Sequence, residues 1–311
     1  MPHISIVSPV YKTGSSLPEL IRQLGEILSP ITAEYEIIFV DDGSPDDAWA
    51  QLKAFCEKDR RIKAIKLSRN FGQHAALTAG LQHCRGEWVV VMDSDLQDTP
   101  GEIIRLYELA MKGNDIVVAR RMEKKHSLFR RLASKSFYRC LTWLSGLPAD
   151  YTIANFGIYS RQVINAVVAM PEAHRFFPMI INWIGFKRAV LEYKHGVREN
   201  GKSGYDTRKL LSLALNITLA YSDKPLRYVV RLGFIISAVT FIYGFILLIR
   251  YFRGDIIVLG YTSLILSIWF LGGIMLFTIG VVGLYVGKTF EETKRRPLYI
   301  IEKKLMGSYE D

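Results

Sequence analysis

The chain opens on an apolar run, Ile4 to Val10 (ISIVSPV). It is too short for the apolar core of a signal peptide and lacks a basic flank and a small-residue cleavage site. It reads as a buried strand leading into a proline-containing loop. From there the periodicity switches repeatedly between 3.6 and extended patterns. Helices are predicted over Ser16 to Leu28, Asp46 to Lys58 and Gln73 to Cys84, and strands over Tyr35 to Asp41, Ile62 to Leu67 and Trp88 to Met92. WVVVM is a continuous apolar run of strand length, as expected where a parallel sheet is covered on both faces. Thr99-Pro100-Gly101-Glu102 has the residues of a capping box with proline at the first helical position, so a helix is predicted to start there. Asp115 to Ala119 follows as a strand. This alternation predicts a doubly wound α/β sheet. Beyond about residue 125 helices dominate, with short strands near Phe156 to Tyr159 and Arg188 to Tyr193.

The last third has a different pattern. Leu232 to Ile249 and Ile256 to Val286 carry no charge, and each is long enough to cross a hydrocarbon core, which needs roughly 20 apolar residues. Two transmembrane helices are predicted, about 230–251 and 261–286, within a membrane region 226–290. A domain over 1–225 precedes them and a tail over 291–311 follows. Arg208, Lys209, Lys224, Arg227 and Arg231 flank the first span, and Lys288, Lys294, Arg295, Arg296, Lys303 and Lys304 the end of the second. The loop between them has only Arg250 and Arg253, with Asp255. The positive-inside rule therefore places both termini in the cytoplasm, at an inner or plasma membrane. Leu210 to Tyr221, within a juxtamembrane helix near 208–222, is apolar but short. It fits an interfacial helix and a helix packed on the sheet equally well. Gly283-x-x-x-Gly287 has the spacing that seats a neighbouring helix, which leaves homo-oligomerisation open.

Composition narrows the function classes. Half of the 311 residues are apolar and 23% are charged, which excludes a disordered chain. The three cysteines, Cys56, Cys84 and Cys140, are far apart, so no disulfide framework or zinc knuckle is indicated. None of the six histidines has the spacing of a zinc site; His74 reads as a capping or packing residue. The net charge of +10 is accounted for largely by the membrane flanks, without nucleic acid as a partner.

Asp93-Ser94-Asp95 follows the WVVVM strand. Residues two apart on an extended chain point the same way, so both carboxylates face the crevice above the sheet, where open α/β sheets bind ligands. Two hard oxygen donors there suit Mg²⁺ or Mn²⁺ bridging a diphosphate; the alternative is a solvated turn. Asp41-Asp42-Gly43-Ser44 ends an earlier strand in the same way. A carboxylate there suits a ribose or a base N–H, though the residues are also those of an Asx turn. Pro9-Val10-Tyr11 at the same sheet edge favours a nucleotide pocket.

The stretches SPVYK, VDDGSPD, LSRNFGQHAALTAGL and VVVMDSDLQDTPGE resemble the family 2 glycosyltransferases of the GT-A fold. With RRLASKSFYR, FFPMIINWIGFK and KRRPLYII, the chain is similar to the polyprenyl-phosphate glycosyltransferases among them: bactoprenol glucosyltransferases and, more distantly, dolichol-phosphate mannosyltransferases. The resemblance implies a GT-A, Rossmann-like nucleotide-sugar-binding domain followed by two membrane helices. It implies inverting transfer from a nucleotide sugar, UDP-glucose being the commonest theme, to a polyprenyl phosphate such as undecaprenyl phosphate. Carried over by position, Pro9, Tyr11, Val40 and Asp42 contact the nucleotide, with Asp93 and Ser94 at the nucleotide sugar. Asp93, Asp95 and Gln97 hold the metal. Arg121, Arg131 and Ser134 receive the lipid phosphate, and Arg198 sits by the diphosphate. Two positions depart from the pattern. Asn155 stands where relatives often have an acid, with Asp150 read as a loop residue; Gly204 stands where they often have a basic residue, with Lys202 able to substitute. Gly196 to Ser203 also satisfies the Walker A pattern, but one helix and two spans follow it rather than the strands a P-loop fold needs. The rival functions are a membrane enzyme that extends a glycan directly, disfavoured by the absence of a Q-x-x-R-W motif, and a catalytically silent nucleotide-binding scaffold.

Overall fold

The computed structural model describes residues 2–121, 153–172, 175–193, 222, 224–253 and 260–306. These residues fall into two compact units. One comprises 1–138, 147–204 and 296–311, and the other 139–146 and 205–295.

The first unit is built on an eight-stranded sheet of order β7-β5-β6-β4-β1-β2-β3-β8. Its strands are β1 (Ile4–Val10), β2 (Tyr35–Asp41), β3 (Ile62–Leu67), β4 (Trp88–Val91), β5 (Ile116–Arg121), β6 (Ile153–Ser160), β7 (Arg188–Tyr193) and β8 (Ile301–Leu305). The centre, β4-β1-β2-β3, is parallel, as the apolar runs predict. Beyond it the sheet is mixed: β6 lies antiparallel between β4 and β5, and β7 is parallel to β5.

Alternate residues of each strand feed two separate cores. Ile4, Ile6, Ile37, Phe39, Val90 and Met92 face α1 (Leu17–Leu28), α2 (Ala48–Lys58) and α4 (Glu102–Met111). Val7, Ile38, Val40, Val89 and Val91 face α3 (Gln73–His83), α5 (Arg161–Ala169) and α6 (Phe177–Trp183). Helices on both faces are the physical reason these strands read as unbroken apolar runs rather than alternating ones. Gly80 lets α3 lie directly on the sheet, since a Cβ there would stand 2.3 Å from Val7 Cγ1. The predicted start of α4 holds in kind but not in detail. The Thr99 carbonyl accepts the Glu102 N–H at 3.0 Å, a backbone turn takes the place of a side-chain cap, and the helix proper begins at Glu102.

In the second unit, α7 (Lys224–Phe252) and α8 (Tyr261–Thr293) are 29 and 33 residues long. Lys224–Tyr243 and Ser267–Thr293 are apolar enough to cross a membrane, with mean hydropathies of 1.5 and 2.0. Phe234, Trp269 and Leu276 are 76%, 78% and 73% exposed. The Tyr285 hydroxyl donates to the Ser222 carbonyl at 2.8 Å, tying α8 to the residues that precede α7. The expected juxtamembrane helix near 208–222 lies, but for Ser222, outside the described residues.

The segment expected as a tail does more than trail. Residues 301–305 return to the first unit as β8, antiparallel to β3.

Candidate active site

From β3 the chain crosses over to β4 on the far side of β1, so the order of strands reverses beside β1. In open α/β sheets the crevice at such a switch point is the ligand site. Three strand ends meet there. β1 delivers Pro9 and Tyr11, β2 delivers Asp41 and Asp42, and β4 delivers Asp93 to Asp95.

At the end of β1 the Tyr11 ring is 43% exposed, with the Lys12 ammonium 5.4 Å from its centroid. Lys12 has φ +57°, and its N–H donates to Ser44 Oγ at 2.7 Å. This sharp bend accompanies the partial exposure of Tyr11 at the strand end.

At the end of β2, Asp41 and Asp42 are both buried. Asp41 accepts the Ser44 N–H, three residues on, at 2.8 Å. Asp42 accepts the Phe71 N–H at 2.7 Å and the Gly72 N–H at 2.9 Å, one on each oxygen. Burial pushes both carboxyl pKa values up, and these backbone donors oppose the shift. Gly43 is needed after Asp42. Its φ is +62°, and a Cβ would stand 2.7 Å from the Arg69 carbonyl carbon and the Asn70 nitrogen. Asp42 therefore carries the Arg69-to-Gly72 loop at the crevice edge.

Beyond β4, Asp93 Oδ1 accepts Gln73 Nε2 at 2.6 Å, from the first turn of α3. Asp95 accepts the Gln97 N–H at 3.1 Å and Gln97 Nε2 at 2.5 Å. Leu96 between them takes φ +61°, and its side chain packs on the α1/α2/α4 core. That turn brings the Asp95 carboxylate and the Gln97 amide face to face. Among the described residues no three His, Cys, Asp or Glu side chains converge as a metal cage. Two carboxylates and an amide are instead the donor set that suits a Mg²⁺- or Mn²⁺-type ion completing its shell with substrate phosphate.

Ser94 and Val40, expected against the nucleotide, stand behind the crevice. Ser94 is 3% exposed. Its hydroxyl donates to the Pro9 carbonyl at 2.9 Å and lies 2.7 Å from Thr13 Oγ1, while its carbonyl accepts Ser16 Oγ at 2.6 Å. It braces the β4 turn against the β1 loop. Val40 is fully buried, because its position in β2 points to the α3 side.

Asn155 is half-buried in β6. The β4–β6 register ends with Val91 paired to Gly157, two residues after Asn155. Arg121 ends β5, its backbone paired with Tyr193. Arg131, Ser134, Asp150, Arg198 and Lys202 lie outside the described residues.

Sequence reading missed three participants. Gln73 touches Asp93; the Phe71 and Gly72 amides hold Asp42; and the buried Asp98 accepts the Tyr193 hydroxyl at 2.6 Å. The SRNFGQ stretch containing the first two was visible, but the Phe71 and Gly72 donors are backbone groups and leave no residue-type signature. His74 has its predicted packing role, edge-on to Phe176 at 4.9 Å.

The model of "Glycosyl transferase family 2" matches residues 5–166. A prophage bactoprenol glucosyl transferase homolog of Escherichia coli is 34% identical over 301 residues, covering 96% of this chain and 98% of that protein. The bactoprenol glucosyl transferase of Shigella phage SfII is 34% identical over 306 residues, covering 98% and 99%. Among solved structures, the mannosyltransferase PcManGT of Pyrobaculum calidifontis, in complex with GDP-Man and Mn²⁺, superposes with a TM-score of 0.50 at 18% identity, covering 70% of this chain and 63% of that one. That likeness shows the GT-A-like fold. The family match and the full-length relatives make the chain a glycosyltransferase, and it belongs to glycosyltransferase family 2.

Proposed function

We propose that the protein transfers a sugar, with inversion, from a nucleotide sugar to a polyprenyl phosphate at the cytoplasmic face of a membrane, with UDP-glucose as donor and undecaprenyl phosphate as acceptor. The observation that carries this reading is the meeting of Asp93 and Asp95 with the Tyr11 and Asp42 ends of β1 and β2, in a chain that aligns end to end with bactoprenol glucosyl transferases. Tyr11 offers a stacking face for the base. The loop held by Asp42 closes the nucleotide end. Asp93, Asp95 and Gln97 would hold a Mg²⁺ or Mn²⁺ ion, which when bound neutralises charge on the departing diphosphate. The Mn²⁺ present in the PcManGT complex supports a divalent metal.

Asn155 supplies no carboxylate base. None is needed if the acceptor is a phosphate monoester, whose second pKa is ~6, so that it is mostly dianionic at neutral pH. The protein then has only to position the attacking oxygen behind the anomeric carbon. Arg121, Arg131 and Ser134 are assigned to hold that phosphate, and Arg198 and Lys202 to the donor diphosphate.

The long apolar helices support a membrane-bound acceptor, since exposed apolar surface of this extent is stable only in an apolar surround. The pairing of the segment after α8 with β3 supports an even number of crossings, which returns the chain to the side it left. The test is to incubate purified protein with a panel of labelled nucleotide sugars and undecaprenyl phosphate. Metal-dependent formation of a glycosylated lipid, fastest with UDP-glucose, is the expected result. Labelling of a glycan but not of the lipid, or nucleotide binding without turnover, would replace this reading with the glycan-extending enzyme or the scaffold.

A further inference from the structure

Residues 301–305 come after both apolar helices, yet they are built into the sheet of the first unit. β8 pairs with β3 from Ala64↔Leu305 to Leu67↔Ile301, with a register irregularity between Lys66 and Leu67. The pairing then continues one step past the strand, where the Ser68 N–H donates to the Ile300 carbonyl at 2.9 Å. Ser68 is the residue from which the Arg69-to-Gly72 loop departs.

Side chains reinforce the same junction. Lys66 Nζ lies 3.0 Å from Glu302. The Tyr299 hydroxyl donates to Gln82 Oε1 on α3, the helix that begins where the loop ends. Tyr299, Ile301 and Met306 pack on the same apolar cluster as Phe71. The loop so held donates its Phe71 and Gly72 amides to Asp42, and its Arg69–Asn70 backbone lies against Gly43. A continuous path of contacts runs from the C-terminal segment through Ser68 and the loop to the end of β2.

We propose that residues 299–305 form a positioning element for the nucleotide end of the site, fixing the Ser68-to-Gly72 loop in the conformation that holds Asp42. A bare edge strand needs only a cover to prevent pairing with another chain. Here the cover extends beyond the strand, to the first residue of the loop. The active site is then completed by chain that lies beyond the membrane helices. The inference rests on the nucleotide-sugar reading only for the identity of the ligand.

The test compares the full chain with a variant ending at Pro297, which retains both helices, in the same detergent–lipid mixture. Amide hydrogen exchange at Phe71 and Gly72 and the Kd for UDP are measured. The variant is expected to exchange at least about tenfold faster at both amides and to bind UDP at least about tenfold more weakly, the consequence of losing a backbone brace. If the truncated chain fails to fold, the full-length double variant Tyr299→Phe, Glu302→Lys takes its place, with the same direction and a smaller effect. Unchanged exchange at Phe71 and Gly72 in a folded variant overturns the proposal. So does faster exchange with unaltered UDP affinity, because the brace would then have no bearing on the ligand. Failure of the intact chain to bind UDP overturns the nucleotide assignment, while amide exchange still decides whether the brace exists.

Discussion

Asp93, Ser94 and Asp95 are consecutive yet do different work. The two carboxylates accept from the Gln73 and Gln97 amides, and the serine between them turns back to grip the Pro9 carbonyl and Thr13. Asp95→Asn keeps the shape and removes one negative charge. Transfer is expected to fall by at least ~10²-fold, the usual cost of losing one preorganised electrostatic partner, with an unaltered circular dichroism spectrum. Ser94→Ala leaves the Pro9 carbonyl without that donor, and a loss of about 1–3 kcal/mol in stability is expected. Chemical denaturation measures it, and nucleotide affinity should weaken with it because the Tyr11 bend loses its anchor. The D-x-D pattern and its position after a buried strand were legible in the sequence. The inward turn of Ser94 was not, since it depends on where the β1 loop lies.

At the scale of elements, the strands from β1 to β5 were readable because two covering layers make them predominantly apolar. β6 was foreseen as a strand, but its antiparallel insertion between β4 and β5 was not, because pairing partners are chosen by crossovers that local pattern does not encode. Gly80 illustrates the same limit. In sequence it is a weak point in a helix; in the fold it is the place where α3 touches Val7. Gly80→Leu should overpack this contact and destabilise the protein by about 1–3 kcal/mol, observable as a lower Tm. A Tm equal to that of the parent would contradict the close approach of α3 to β1.

For the molecule as a whole, stability should depend on pH through His74. Burial lowers its pKa from 6.5 to about 4, and among the described residues its buried Nδ1 has no hydrogen-bond partner. Because the unfolded chain takes up this proton near 6.5 and the folded protein resists it, the contribution to stability is present above pH 6.5. It is lost as pH falls through the window down to about 4. Asp41 and Asp42, raised by burial, act with the opposite sign toward the acid end, so the measurement is a difference. Tm against pH for His74→Phe should be flatter between these limits than for the parent. Parallel curves would show that the imidazole does not carry the effect.

The sequence by itself determined the layered α/β class, the carboxylate pair beyond β4 and two helices long and apolar enough for a bilayer. Each of these is written in local periodicity or in residue chemistry. Only the tertiary structure decided which amides hold Asp42, that Gln73 and Asp98 join the site's surroundings, and that residues 301–305 close the sheet edge. Backbone donors are the same whatever the side chain, and contacts across more than two hundred residues leave no mark in a local pattern. They exist only once the chain has folded back on itself.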